Sequence, residues 1–255
     1  APMQILLANA KMMLCPTEVA AKPLTLPAFQ AEADRLAKEM ARLSLDELEE
    51  QLGCSRQLAL ENQQRYQNFF LAEKMPAIMA YNGRAYQALM AHTLDAAALS
   101  FAQEHLFITC FLYGLLRPMD AIVPYRMEHT VRLEATNDKP IDRFWRDKLT
   151  DYLIRAVQAD DGILIHLSTG EYERLFNWAR VCREVKVIKP LFYVRKQGRL
   201  HVQAVWAKAC RGAMARHLLQ TAADQPSALA DFTYEGFSYA PHLGEPAFPH
   251  FVRET

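Results

Sequence analysis

Neither sign of charge predominates in this 255-residue chain: 29 Lys and Arg stand against 29 Asp and Glu. The molecule as a whole is therefore no electrostatic sponge for nucleic acid. Long hydrophobic runs are missing too. None approaches the ~20 apolar residues of a membrane span. The first residues, APMQILLANAK, lack the basic start and apolar centre of a signal peptide. The five cysteines, Cys15, Cys54, Cys110, Cys182 and Cys210, are odd in number, scattered, and never spaced as C-x-x-C. That argues against a zinc ribbon or a disulfide scaffold and fits a reducing, cytoplasmic setting. Familiar catalytic signatures are absent: no P-loop, no dinucleotide-binding glycine fingerprint, no H-E-x-x-H, no G-x-S-x-G. The 8 histidines do not fall at metal-ligand spacings. The expectation is a protein with no metal site, no cofactor and no membrane partner.

What is present is an ordinary globular composition, 51% hydrophobic and 23% charged, enough for a sizeable core. No long Gly, Ser or Pro linker divides the chain, so one domain over 1–255 is expected. The neutral total hides an asymmetry. Between Arg174 and Arg216 there are eleven Lys or Arg and one acid, Glu184; between Ala28 and Gln64 there are eight acids and four bases. One surface can thus bind anions while the whole stays neutral.

Gln4 to Ala8 reads as a buried strand, followed by a loop over 12–27 with Pro16, Pro23 and Pro27. Ala28 to Arg42 has helical spacing. Ser44 with Glu47 makes a capping box that opens a helix over Leu45 to Leu52. Ser55 caps the next helix, past Gly53-Cys54. Asn82-Gly83 marks a turn, and Leu106 to Cys110 a central strand. Ile141, Trp145, Leu149, Leu153 and Val157 keep one face of an amphipathic helix. Ile163 to Leu167 is a strand. Val185 to Val194 and Arg199 to Trp206 read as a hairpin around Gln197-Gly198. A helix over Ala207 to Leu219 follows, then a strand near Tyr234 to Tyr239 and proline-rich coil. Strands dispersed among helices, with a hairpin included, predict a mixed α/β (α+β) architecture.

Three stretches carry candidate chemistry. The first is 106–133, LFITCFLYGLLRPMDAIVPYRMEHTVRL, where an apolar run delivers Arg117-Pro118 and then Pro124-Tyr125-Arg126. Prolines restrict the backbone at both arginines, which suits either a rigid anion site or a salt-bridge corner. The second is Ser44 to Tyr66. Two short helices around a glycine turn make either a plain αα-corner or a helix-hairpin-helix unit, whose turn amides meet a DNA phosphate without reading sequence. Gly53, Cys54, Ser55, Arg56 and Arg65 are its DNA-binding candidates. The run Gly53-Cys54-Ser55 departs from the usual pair of glycines, and the first helix is acidic, which favours the corner. The third is the basic stretch. Lys189, Lys208 and Arg211 are its anion-binding candidates, and Lys208 and Arg211 share a helix face among small apolar residues. A half-buried cation there needs a carboxylate or an anionic ligand.

The runs F-L-Y-G-L-L-R-P-M-D-A-I-V-P-Y-R-M-E (111–128), F-W-R-D-K-L (144–149), L-S-T-G-E-Y (167–172), I-K-P-L-F (188–192), A-K-A-C-R-G-A-M-A-R (207–216) and Y-E-G-F-S-Y (234–239) resemble the YaaA family, also called UPF0246 or DUF328. The resemblance extends from the first strand to the last. It implies a bacterial cytoplasmic protein of the peroxide-stress response, associated with lowered free iron and with duplex DNA. It also implies a single mixed α/β domain whose helix-hairpin-helix element maps onto 44–66. The family's first strand ends in Ser-Pro-Ala-Lys, whereas this one ends in Ala8-Asn9-Ala10-Lys11, so Lys11 carries over and a serine role does not. Lys11, Arg117, Arg126, Lys189, Lys208 and Arg211 all fall in matching blocks and are expected to share a cleft, with Arg126 the more pocket-facing of the two arginines in 106–133. Two readings follow: backbone binding of duplex DNA, or a small anionic ligand handled by the same cations. If the second is an enzyme, Glu128, His129, Glu171 or Glu235 supplies its acid or base.

Overall fold

The computed structural model describes residues 2–14 and 23–255. Residues 15–22, half of the expected 12–27 loop with Cys15 and Pro16, lie outside them. The chain opens with strand β1 (Gln4–Ala8), then helices α1 (Gln30–Met40), α2 (Leu45–Leu52) and α3 (Arg56–Gln67). Short pieces follow: β2 (Met75–Pro76), α4 (Ala77–Ala80) and α5 (Arg84–Leu89). The middle holds α6 (Ala96–His105), β3 (Leu106–Cys110), β4 (Gly114–Leu116), β5 (Ala121–Ile122) and the long α7 (Ile141–Ala159). Next come β6 (Ile163–Leu167), α8 (Gly170–Glu173), α9 (Trp178–Glu184), β7 (Lys186–Ile188), β8 (Leu191–Lys196) and β9 (Arg199–His201). The chain closes with α10 (Ala204–Gln220), β10 (Thr233–Tyr234), β11 (Phe237–Glu245) and β12 (Phe248–Glu254). The mixed α/β expectation is borne out.

The first sheet has the order β4-β3-β1-β6-β7. β1 lies parallel to β3 on one side and to β6 on the other, while β4 folds back antiparallel. β1, β3 and most of β6 are buried on both faces, as parallel strands covered by helices must be. α7 and α10 both pack on this sheet, and α10 also reaches the second one. That second sheet has the order β10-β11-β12-β8-β9 and is antiparallel except for the β12–β8 pair. One apolar cluster runs from Ile5 and Phe107 through Trp145 to Phe192 and Phe251.

Local signals placed most elements. Both halves of the Ser44 capping box form at 3.1 Å, and Ser55 accepts from the Leu58 amide at 3.2 Å. Gly53 ends α2 in the left-handed region at φ 59, where a side chain would be strained. Three expectations fail. Val185 to Val194 is not one strand: Lys189-Pro190 breaks it, and β7 and β8 enter different sheets, because proline cannot donate to a ladder. The second hairpin strand stops at His201, and Trp206 belongs to α10. The expected C-terminal coil is the β11–β12 hairpin, which absorbs its prolines beside a register shift between Tyr239 and Gly244.

The tightest packing joins α10 to α5. A Cβ placed on Gly212 would sit 1.8 Å from the Ala85 carbonyl oxygen. Only hydrogen fits, so Gly212→Ala must push the two helices apart. Overpacking of this kind costs about 1–3 kcal/mol, and denaturant unfolding should show a loss at the upper end of that range. An unchanged midpoint would mean the helices slide apart freely.

Candidate functional site

β1 and β6 are neighbours, but their connections leave in opposite directions. β1 leads toward β3 on one side, and β6 leads through α8 and α9 to β7 on the other. In open α/β sheets this reversal opens a crevice beyond the carboxyl ends of the two strands. Here the crevice is a cleft of about 590 Å³. Its walls are the β1 exit (Leu7 to Met12), the β6 exit (Leu167 to Tyr172), the start of α5 and the middle of α10.

The walls are fixed to the sheet. The Tyr86 hydroxyl donates to the Ala8 carbonyl at 2.7 Å, tying α5 to β1. The Tyr172 ring stacks on Phe111 with centroids 4.6 Å apart, tying α8 to the end of β3. Thr109 and Ser168 hydroxyls meet at 3.0 Å across the end of β1.

Four cations line this cleft: Lys11, Arg84, Lys208 and Arg211, with one carboxylate, Glu171. Arg211 is the informative one. Burial pushes its guanidinium below the usual arginine range, yet no carboxylate among the described residues comes within ion-pair distance of it. Lys208 and Arg84 are exposed and likewise unpaired among the described residues. A largely desolvated cation without a partner is costly unless an anion completes the site.

A second chamber adjoins the first. It is lined by Lys11, Glu50, Gln51, Leu52, Gly53, Arg126, Glu128, His129, Thr130 and Glu171, so Lys11 and Glu171 belong to both. Glu128 lies 3.4 Å from Arg126 Nε and 3.7 Å from Lys11 Nζ. The Arg126–Glu128 pair is close but misaligned, and the buried Nε and Oε1 atoms make no hydrogen bond. His129 Nδ1 stands 3.8 Å from Asp142. The Tyr66 hydroxyl donates to the Arg126 carbonyl, which joins α3 to this wall. Gln51 exchanges two hydrogen bonds with the Arg132 backbone, at 2.9 and 3.0 Å, and fixes α2 beside it. The α2–α3 turn therefore forms one end of a groove whose other end is α10.

The expected convergence holds for Lys11, Lys208 and Arg211, with Arg126, Glu128, His129 and Glu171 adjoining. It does not hold for Arg117, Lys189 or Glu235. Arg117 lies under the sheet: Nη1 donates to Gln4 Oε1 at 3.0 Å and to the Leu106 carbonyl at 3.2 Å, and the guanidinium sits 3.6 Å over the Phe107 ring. Burial lowers its pKa to about 10. Lys189 turns to Glu173, which accepts from Lys189 Nζ at 3.0 Å and from His166 Nε2 at 2.8 Å. Glu235 occupies the β10–β11 turn at φ 49 and lines neither chamber. On the hairpin, Arg56 pairs with Asp46 and with Glu49 (3.1 Å), and Arg65 with Glu61 (3.3 Å). Both cations are already engaged within their own unit.

Arg84 and Asn9 were not among the expected site residues. Arg84 follows the Asn82-Gly83 turn, and its place opposite α10 depends on the Ala85–Gly212 contact, which no local pattern announces. Asn9 points inward: Nδ2 donates to the Tyr125 hydroxyl at 3.0 Å, and its buried Oδ1 has no partner among the described residues.

Residues 3–243 match the family described as peroxide stress protein YaaA. The chain belongs to that family. A UPF0246 protein of Bacteroides thetaiotaomicron is 38% identical over 245 residues, covering 95% of each chain. One from Porphyromonas gingivalis is 37% identical over 256 residues, covering 99% of this chain and 100% of its own. A third, from Hahella chejuensis, is 35% identical over 259 residues with the same coverage. Among the described residues no helix is long and apolar enough to cross a membrane.

The His166–Glu173–Lys189 cluster gives this member of the YaaA family an acid-sensitive point. Burial holds the His166 pKa below its ordinary 6.5, and the His166 contact first of all holds Glu173 below its ordinary 4.5. In both cases the unfolded chain takes up protons more readily than the folded one. Stability from His166 is therefore present above pH 6.5 and is lost as pH falls through its lower folded value; that from Glu173 follows below pH 4.5. Denaturant titrations across this window should show the decline, and Glu173→Gln should flatten its acidic part. An identical acid limb in the variant would remove Glu173 from the account.

Proposed function

We propose that this protein serves the peroxide-stress response by holding duplex DNA through its phosphates, without sequence preference. The observation carrying the proposal is the continuity of the groove. Unpaired Lys208, Arg211 and Arg84 lie in one chamber, Gly53 of the helix-hairpin-helix-like turn lines the other, and Lys11 belongs to both. Phosphate-binding groups strung along one concave path suit a polyanion. The engaged state of Arg56 and Arg65 shifts the expected electrostatic weight from the hairpin to the α10 cations, and the Gly53 and Cys54 amides of the turn already donate to the Glu49 carbonyl. Lowered intracellular free iron belongs to the same proposal, through the DNA-bound state and not through a direct iron site.

A second reading has its own support. The cleft volume lies in the range of small-ligand sites, roughly 300–1,000 Å³, and Arg211 is more buried than a cation needs to be to meet a duplex backbone. A phosphate- or carboxylate-bearing small molecule satisfies both features.

Duplex affinity measured against salt separates the two. For DNA binding, affinity should fall steeply with salt and vary little with sequence. Lys208→Ala/Arg211→Ala should lower it about tenfold or more and reduce the salt slope by about two. Arg56→Glu/Arg65→Glu should cost less. Absence of duplex binding at low salt, or binding indifferent to salt, would overturn the proposal. Metal analysis finding stoichiometric iron in the purified protein would overturn the indirect route to iron.

A further inference from the structure

We infer that the cleft between β1 and β6 receives a single unstacked nucleotide, its base on the cleft floor and its phosphate on the α10 cations. This rests on the DNA reading and deepens it. A duplex is ~20 Å wide and meets only the rim of a concavity of about 590 Å³, so contact with the backbone alone leaves the interior empty. The interior has the composition a base requires. Leu7, Ala8, Ala10 and Leu167 make an apolar floor, with the Tyr172 ring at its side. The cations stand around this floor, as expected for a site that takes an apolar ring carrying an anionic group.

The polar groups are selective in kind. Asn9 commits its amide nitrogen to Tyr125, and its buried oxygen has no hydrogen-bond partner among the described residues. The Glu171 carboxylate makes no ion pair among the described residues, although it shares the cleft with four cations. Both groups are acceptors. They suit a base edge that donates from an exocyclic amino group, as adenine, cytosine and guanine do and thymine does not. An unpaired base enters at lower cost than a paired one, because no base pair has to be broken.

The test uses the full chain and matched duplexes carrying 2-aminopurine, an amino-bearing fluorescent base, either paired or as a single-base bulge. The expected result is at least tenfold tighter binding of the bulged duplex, a saturable rise in its emission, and weaker binding of a bulged thymine. Gln87→Trp, on the exposed face of α5 at the cleft, narrows the cleft without removing a cation. It should bring bulged affinity down to the paired value. Should that variant fail to fold, Glu171→Gln should reduce the preference for the amino-bearing base over thymine. Equal affinity for paired and bulged duplexes with unchanged emission overturns the inference while leaving duplex binding in place. If no duplex binds, the DNA reading fails separately. Titration with AMP then decides: binding sensitive to Gln87→Trp keeps the cleft as a nucleotide site filled from solution, and no binding overturns that too.

Discussion

β1 has a parallel neighbour on each side, and the chain leaves its two central strands, β1 and β6, in opposite directions. The candidate site depends on that reversal. A strand pair whose exits diverge leaves a gap at its carboxyl end that neither connection can fill. α5, α8 and α10 wall the gap without closing it. The Gly212–Ala85 contact sets how near two of these walls can come, so the shape of the cleft depends on a residue with no side chain.

Two half-buried arginines, Arg117 and Arg211, show how the same chemistry diverges by surroundings. Arg117 is compensated from every side by an amide oxygen, a backbone carbonyl and an aromatic face. Its charge is absorbed by the fold, and it anchors β3 and β4 to β1. Arg211 is depressed by burial in the same direction but has no such company. A cation whose partner is supplied by the protein is a structural element; one with no partner among the described residues keeps its desolvation cost uncompensated by the fold. Lys189 illustrates the first outcome again, because Glu173 holds it next to His166.

The groove also connects two features that looked independent. The α2–α3 turn and the α10 cations are far apart in the chain, yet Lys11 and Glu171 line both of their chambers, and Tyr66 and Gln51 grip the backbone of the 126–133 segment beside the turn. The stretch 106–133 thus does two jobs. Its first half is sheet core, and its second half lines the chamber beside the α2–α3 turn.

Much of this was legible in the chain itself. Capping boxes, glycine turns and periodic apolar residues encode short-range energetics, so α1, α2, α3, α7, β1, β3 and β6 could be placed from sequence, and the family signature lies in the same local blocks. The basic bias of 174–216 announced that α10 would carry cations. What local patterns could not supply was any quantity depending on two distant segments. Whether Lys189-Pro190 ends one strand or sends the chain to another sheet, whether Arg117 or Arg211 keeps an unpaired charge, and whether Arg84 faces α10 are decided by which side chains the fold brings within a few ångströms. The sequence by itself determined the elements, the family and the inventory of cations. Only the tertiary structure decided which cations the protein neutralises internally and which it leaves unpaired among the described residues, because ion pairing and desolvation are set by distance through space and not by spacing along the chain.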